Sequence, residues 1–221
     1  MTKKPPTSRE KTQRVKKAAS RTTSSTRWLN RHINDPYVHE AQRLGYRSRA
    51  AFKLLEMDQR LKLIKPGMCV VDLGSAPGGW SQVLSQKHMG QIVAIDILDM
   101  DKLPNVEFIQ MDFTDNDAPD VLKKMLGGPA DVVLSDLSPN TTGHKKTDHL
   151  RMMALVEMAW EFAAEVLAPN GSFVTKVFQG GTEDDLLKAI KPRFKSVKHI
   201  KPPASRAESS EIYLVAQGFK G

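Results

Sequence analysis

Four aspartates stand where the end of a buried strand would give way to a loop. Each closes or soon follows a short apolar run, and the four are Asp72, Asp96, Asp112 and Asp136. Parallel strands in α/β proteins present their carboxyl ends, and any ligand, at one edge of the sheet. We therefore expect these carboxylates to surround a common site. A pyrophosphate would be repelled there, whereas a sulfonium, an amine and sugar hydroxyls would be attracted.

A glycine-rich loop begins directly after the first of these aspartates. The stretch VVDLGSAPGGWSQVL, residues 70–84, predicts a strand, a tight loop and the start of a helix. Its glycines, Gly74, Gly78 and Gly79, do not follow the GxGxxG spacing of dinucleotide sites. Tryptophan and serine follow the last glycine, where a phosphate-binding loop requires a lysine and a hydroxyl residue. The loop therefore favours neither a dinucleotide nor a nucleoside triphosphate.

S-adenosylmethionine carries all the groups that such an acidic site would attract. Asp96, about twenty residues beyond the loop, is placed to accept hydrogen bonds from ribose hydroxyls. Asp112 could accept one from an adenine amino group, and the glycines would let the backbone approach the cofactor closely. The predicted cofactor residues are Asp72, Gly74, Gly78, Gly79, Asp96, Asp112 and Asp136. The alternative is that the aspartates only cap helices and turns.

The acceptor of the methyl group is indicated by the segment VVLSDLSPN, residues 132–140. Enzymes that methylate amino groups end the corresponding tetrapeptide with an aromatic residue, and the one from Asp136 to Pro139 has none. Carbon methylation through a covalent adduct would need a pair of cysteines, and the chain has only Cys69. A hydroxyl group remains as the acceptor.

Three more charged residues lie in or beside apolar patterns. Lys176, inside the apolar run SFVTKVF, must reach a carboxylate or the end of the strand. Glu211 enters the last apolar run, and Lys53 lies on the polar side of a predicted helix. Taken alone, Lys176 can be an edge lysine that extends to solvent, and Lys53 a solvated lysine on a helix face.

The elements that would position these residues alternate along the chain. Apolar runs predict strands at 68–73, 91–97, 106–110, 131–137 and 171–178, and amphipathic patterns predict helices at 48–63, 80–88, 119–126 and 148–167. Alternation of this kind indicates an α/β fold, a doubly wound parallel sheet with helices on both faces. Two last strands, at 194–200 and 211–217, follow each other without a helix. A terminal hairpin of this kind would add one antiparallel strand.

The charge distribution points to a polyanionic partner. Nine of the basic residues but only one acid fall in residues 1–27, and residues 186–206 carry seven bases and no acid. Between them, residues 66–136 carry four bases and eleven acids. An acidic centre with basic flanks suits a cationic small ligand held beside a nucleic acid. The alternative for the basic segments is an ordinary solvated surface.

Composition predicts a disordered basic tail, 1–27, and one domain, 28–221. The tail's early Pro5-Pro6 pair argues against an organellar transit peptide. We expect a cytoplasmic, monomeric protein without a membrane anchor, since no apolar run approaches the length of a span. We also expect no metal: the six histidines lack ligand spacing, although His144 and His149 flank Asp148.

Six segments resemble the FtsJ/RrmJ family of ribosomal RNA 2′-O-methyltransferases. They are DPYVHEAQRLGYRSRAAFKLLEMD, VVDLGSAPGGWSQV, MDFTD, VVLSDLSPN, VTKVFQG and SRAESSEIYLVAQGFK. The resemblance runs from about Trp28 to Lys220. It implies a class I, Rossmann-like S-adenosylmethionine-dependent methyltransferase fold of seven strands, the last antiparallel. One departure is Gly180-Gly181, where many relatives have a Gly-Glu-Gly run.

The resemblance also assigns roles to individual residues. The family's catalytic lysine–aspartate–lysine–glutamate tetrad falls on Lys53, Asp136, Lys176 and Glu211. Its cofactor contacts fall on Gly78, Trp80, Asp96, Asp112 and Asp136. The expected substrate is a uridine of large-subunit ribosomal RNA in the peptidyl-transferase region. RNA contacts are expected from residues 1–31, Arg43, Arg47, Arg49 and the basic run Lys188–Arg206.

Three other functions remain open from the sequence. The first is 2′-O-methylation of a transfer RNA or an mRNA cap, which uses the same tetrad. The second is a non-catalytic RNA-binding assembly factor built on a methyltransferase scaffold. The third is a nicotinamide-dependent oxidoreductase, which the loop spacing disfavours.

Overall fold

The computed structural model describes residues 22–140, 142–179 and 184–221, and these contain seven α-helices and seven strands. The helices are α1 (Thr23–Ile33), α2 (Pro36–Leu44), α3 (Ala50–Leu61), α4 (Gly79–Gln86), α5 (Ala118–Leu126), α6 (Lys145–Val166) and α7 (Asp184–Ile190). The strands are β1 (Cys69–Leu73), β2 (Gln91–Asp96), β3 (Val106–Gln110), β4 (Ala130–Ser135), β5 (Leu167–Phe178), β6 (Phe194–Ile200) and β7 (Glu211–Phe219).

All of these strands belong to one sheet, in the order β3-β2-β1-β4-β5-β7-β6. β7 pairs antiparallel with both β5 and β6, and the other pairings are parallel. The prediction of a parallel sheet with an antiparallel last strand is confirmed. Strand order reverses between β1 and β4, so the crevice at their carboxyl ends is the expected ligand site of a doubly wound sheet.

Helices cover both faces of the sheet, as the alternating pattern predicts. α3 and α4 pack one face through Leu54, Trp80 and Leu84, which are all buried. α5 and α6 pack the other face through residues such as Leu122 and Phe162. The central strands of the sheet are therefore covered by apolar side chains on both faces.

The N-terminal helices were not predicted from the sequence. The hydroxyl of Thr22 accepts a hydrogen bond from the Ser25 amide and caps α1, so helix begins inside the predicted tail 1–27. Asp35 caps α2 in the same way through the Tyr37 amide. Capping allows short polar segments to form helices, although their composition alone predicts no structure. Residues 1–21 lie outside the described residues.

Two predicted boundaries shift at β5. The strand begins at Leu167 rather than at residue 171, because Leu167 pairs with Ala130 before the ladder becomes irregular. The segment Pro169–Gly171, which follows the predicted helix 148–167, therefore lies within the strand. Beyond the strand, Gly180-Gly181 lies outside the described residues, and α7 was not predicted.

Candidate active site

Three of the four predicted carboxylates line one cavity at the carboxyl edge of the sheet. Asp96, Asp112 and Asp136 border a space of about 720 Å³ that Gly74 also lines. Apolar side chains close it from the loop after β2 and from α6, including Ile97 and Met158. A largely apolar cavity with a few converging polar groups is typical of small-molecule sites. This cavity is called the acidic cavity below.

The loops around the acidic cavity hold its two outer carboxylates in place. Asp96 accepts hydrogen bonds from the amides of Ala76 and Leu98, both at 2.8 Å. One oxygen of Asp112 accepts from the amide and hydroxyl of Thr114, at 2.9 and 2.7 Å. Each carboxylate retains lone pairs for a ligand, because an ionised carboxyl group offers about four acceptor positions. The rim can therefore accept hydrogen bonds from hydroxyl and amino groups.

Asp72, which was expected at the same rim, lies beneath the loop instead. Its side chain is fully buried in β1, and the Ser81 hydroxyl donates a 2.6 Å hydrogen bond to one oxygen. The other oxygen has no hydrogen-bond partner within the described part of the chain. Burial raises the pKa of Asp72 to about 7, opposed by the Ser81 hydrogen bond and reinforced by the charges of Asp136 and Asp96.

The loop glycines make room for other parts of the protein. A side chain on Gly74 would come within 2.9 Å of the Leu137 amide, and Gly74 also adopts a positive φ of 78°. Side chains on Gly78 and Gly79 would strike Arg47 and Ser48, respectively. Close packing between loops is therefore a second reason for glycine at these positions, beside the predicted close approach to a ligand.

Trp80 is placed by packing and not by the acidic cavity. Its indole nitrogen donates to the Ala50 carbonyl at 2.8 Å, which ties α4 to the start of α3. Its ring lies 5.7 Å from the ring of Tyr213, and the side chain is buried. Of the predicted cofactor residues, Asp72, Gly78, Gly79 and Trp80 do not line the acidic cavity.

All four tetrad residues meet beside the acidic cavity. Lys176 in β5 donates to the Asp136 carbonyl at 2.8 Å and lies 3.3 Å from its carboxylate. Lys53 in α3 forms a 2.8 Å ion pair with Glu211 at the start of β7. The four side chains are between 7% and 19% exposed. Of the two positions expected for Lys176, a carboxylate partner or the strand end, the structure shows the carboxylate partner, and Lys53 is not a solvated lysine.

Tyr213 joins the two ion pairs and was not predicted from the sequence. Its hydroxyl donates to the Asp136 carboxylate at 2.8 Å and accepts from the Lys53 ammonium at 3.1 Å. The register of β7 on β5 places Tyr213 opposite Lys176. In the sequence, Tyr213 looks like one more member of an apolar strand, so only the strand pairing reveals its role.

A loop residue completes the network. The Ser205 hydroxyl donates to Glu211 at 2.7 Å, and Ser205 is buried. The chain of contacts therefore runs from Ser205 through Glu211, Lys53 and Tyr213 to Asp136 and Lys176. Such a network fixes the position of each ammonium group, because every partner is held from a second side.

The electrostatics of the tetrad keep its central carboxylate ionised. Burial alone would raise the pKa of Asp136, but the ammonium groups of Lys176 and Lys53 and the Tyr213 hydrogen bond lower it overall. Burial, with the neighbouring carboxylates, raises the pKa of Tyr213 well above its ordinary value. Asp136 is therefore charged at neutral pH, and Tyr213 remains a neutral hydroxyl. A polar acceptor brought here would meet two ammonium groups and a carboxylate.

The arginines expected to bind RNA differ in the contacts that they already make within the protein. Arg43 is exposed and pairs with Glu40 in the same helix. Arg47 donates to the carbonyls of Asp101 and Lys102 at 2.6 and 2.9 Å, so it acts as a structural clamp. Arg49 pairs with Asp35, and so does Arg206 at the end of the basic run.

Two negative findings apply to the described residues. No cluster of histidine, cysteine or acidic residues there has the geometry to hold a metal, and this includes His149 and Asp148. None of the described helices is long and apolar enough to cross a lipid bilayer.

Comparison with known proteins identifies close relatives. The FtsJ-like methyltransferase model matches residues 46–219, a span that contains every predicted catalytic and cofactor residue. Ribosomal RNA large subunit methyltransferase E of Paramagnetospirillum magneticum is 58% identical over 221 residues, covering 97% of this chain and 91% of the relative. The protein of the same name from Azorhizobium caulinodans is 59% identical over 213 residues, covering 94% and 89%.

A solved structure agrees with the fold. The crystal structure of a Plasmodium falciparum protein, assigned as a ribosomal RNA methyltransferase, superimposes with a TM-score of 0.70. It is 32% identical, and the alignment covers 80% of this chain and 100% of that one.

Proposed function

The chain belongs to the FtsJ-like methyltransferase family, and we propose that it transfers a methyl group from S-adenosylmethionine to a ribose 2′-hydroxyl of large-subunit ribosomal RNA. The observation that carries the proposal is the pair of ammonium groups, Lys53 and Lys176, gathered around Asp136 at the edge of the acidic cavity. The relatives named above supply the RNA class, and a uridine is the expected target nucleotide.

The acidic cavity fits the cofactor. S-adenosylmethionine supplies a methyl group on a positively charged sulfur, which is a good leaving group. Asp96 would accept from the ribose hydroxyls, and the open oxygen of Asp112 would accept from the adenine amino group. Asp136 would face the cationic end, since its lowered pKa keeps it charged. Gly78, Gly79 and Trp80 could contribute only through their backbone, because their side-chain positions are taken up by packing.

The tetrad supports a role in orienting the acceptor hydroxyl. Both ammonium groups are fixed by carboxylates, so their remaining hydrogens can bind the 2′-oxygen. Holding two reacting groups in line can supply roughly 7–11 kcal/mol of a reaction barrier. We assign Lys176 as the group next to the 2′-oxygen, because it is already bonded to Asp136, the tetrad residue that also lines the acidic cavity.

A lysine of this chain accepts the proton that the 2′-hydroxyl loses during methyl transfer. The 2′-oxygen forms a bond to the methyl carbon while the carbon–sulfur bond breaks, and the bonding electrons go to sulfur. Lys176 first gives one ammonium proton to solvent, and its free amine then accepts the proton of the 2′-hydroxyl. Proton transfer comes late, because the oxygen becomes strongly acidic only as the carbon–oxygen bond forms.

The proposal is tested by methyl transfer to large ribosomal subunits from cells that lack this gene. The full chain should incorporate labelled methyl from S-adenosylmethionine, and alkaline hydrolysis should leave an uncleaved dinucleotide at the modified position, because a 2′-O-methyl group blocks cleavage. Incorporation into transfer RNA or a capped mRNA instead would contradict the ribosomal assignment. Binding of the cofactor and the subunit without any incorporation would indicate an assembly factor.

A further inference from the structure

A second cavity lies on the other side of the tetrad. It has a volume of about 570 Å³ and lies between the α1–α2 junction, the start of α3 and the loop from β6 to β7. We call it the arginine pocket and define it by Arg31, Asp35, Tyr37, Arg49, Ser205 and Arg206. It shares no lining residue with the acidic cavity.

The arginine pocket touches the tetrad directly. Ser205 forms part of its wall and donates the 2.7 Å hydrogen bond to Glu211. Arg49 lies one helical turn before Lys53 on α3, so both side chains project from the same face of that helix. An RNA whose reacting 2′-hydroxyl lies at the tetrad would therefore place its neighbouring nucleotide in this pocket.

The arginine pocket contains more positive than negative charge. Arg49 and Arg206 both contact the same oxygen of Asp35, at 3.0 and 3.1 Å. Arg31 is exposed and has no ion pair in the described part of the chain. Glu208 is the only other carboxylate among the lining residues, and it is exposed at the rim. One buried carboxylate therefore serves two guanidinium groups while a third guanidinium has none.

The two inner arginines are fixed by the protein before any ligand arrives. Arg49 also donates to the Ala204 carbonyl, and its guanidinium lies 5.8 Å from the Tyr37 ring. Burial lowers the pKa of Arg49, Asp35 opposes the effect, and Arg206 adds to it. Guanidinium groups held in place bind phosphate oxygens through two parallel hydrogen bonds. The pocket therefore has the chemistry of a phosphodiester site.

We propose that the arginine pocket binds the phosphodiester of the nucleotide next to the one that is methylated. The inference rests on the proposed function, since it takes RNA to be the substrate. Arg31 and Arg206 contact the phosphate, and Asp35 is the resident counter-ion that keeps Arg49 and Arg206 aligned until RNA binds. Glu208 opposes the phosphate from the rim.

The test measures the salt dependence of RNA binding by the full chain, using a labelled single-stranded RNA oligonucleotide in a potassium chloride titration. Arg31→Gln removes a cation that no folding contact uses. Removing one cation that binds a phosphate should reduce the slope of log affinity against log salt by about 0.7. Affinity should fall about fivefold. Arg60→Gln, which removes an exposed arginine from the far end of α3, is the matched control and should leave both values unchanged.

The Glu208→Gln variant should change RNA affinity in the direction opposite to Arg31→Gln. Removing this rim carboxylate should tighten RNA binding, and weaker binding would overturn the proposal. An unchanged slope for Arg31→Gln, or equal changes for Arg31→Gln and Arg60→Gln, would also overturn it. An Arg31→Gln variant that binds the RNA oligonucleotide normally but does not bind assembled subunits would overturn it as well, because the pocket would then bind a protein. None of these binding measurements requires methyl transfer. Failure of the proposed activity would be seen separately, because the wild-type chain would then incorporate no labelled methyl.

Discussion

The buried carboxyl group of Asp72 should make the stability of the fold depend on pH in an unusual direction. Its pKa of about 7 lies well above the ordinary aspartate value of 3.8. Between these two values the folded chain holds a proton that the unfolded chain has lost. Stability therefore decreases as pH rises through this range, and the decrease ends near pH 7. At about 1.4 kcal/mol per pH unit, the total is about 4 kcal/mol.

The change to asparagine isolates this effect. Asp72→Asn can still accept the hydrogen bond from Ser81 but cannot ionise. Urea unfolding, followed by tryptophan fluorescence between pH 5 and pH 8, gives the free energy of unfolding of both proteins. The value for the variant minus that for the wild type should increase with pH, and the other titrating groups cancel in the difference. The unpartnered amide lowers the variant's stability by about 1–3 kcal/mol at every pH, so the slope is the informative quantity.

A second variant checks the cause. Ser81→Ala removes the hydrogen bond that lowers the pKa of Asp72, so the range in which stability falls should extend to higher pH. Parallel stability curves for the wild type and Asp72→Asn would refute the reasoning. They would mean that Asp72 ionises in the folded protein as readily as in the unfolded chain.

Three other changes have distinct expected outcomes. Tyr213→Phe removes the hydroxyl between the two ion pairs. Because a hydrogen bond to a charged group contributes about 1.5–3 kcal/mol, the single-turnover rate should fall at least tenfold. Cofactor affinity measured by calorimetry should not change. Asp112→Ala should weaken cofactor binding about tenfold in the same calorimetric assay, with a smaller effect on the rate at saturating cofactor. Arg47→Gln breaks the clamp onto Asp101 and Lys102, so it should lower thermal stability; a loss of RNA affinity without a loss of stability would contradict the structural role.

The sequence was sufficient to predict the features that follow from strand order. In a parallel sheet, apolar runs that end in aspartate place their carboxylates at one edge, and Asp96, Asp112 and Asp136 lie there together. Lys176 was predictable as a paired lysine because an ammonium inside an apolar strand requires a partner. Asp72 was misplaced because an apolar run does not reveal that its side chain lies under the loop, where the Ser81 hydroxyl of α4 pairs with it.

Features that depend on distant pairings could not be predicted. The role of Tyr213 follows from the register between β5 and β7, and the fixed position of Lys53 follows from how α3 packs against the sheet. The clamp formed by Arg47 could not be predicted because its carbonyl partners lie more than fifty residues away in the sequence. Long-range packing of this kind leaves no local pattern in the sequence.

The most direct test of the tetrad is a single-turnover measurement with Lys176→Ala. At saturating cofactor and excess large subunits, methyl transfer by this variant should be abolished, while the calorimetric dissociation constant for S-adenosylmethionine stays within about twofold of the wild-type value. A variant that still transfers methyl at the wild-type rate, or one that loses cofactor binding and transfer together, would contradict the assignment of Lys176 to the acceptor hydroxyl.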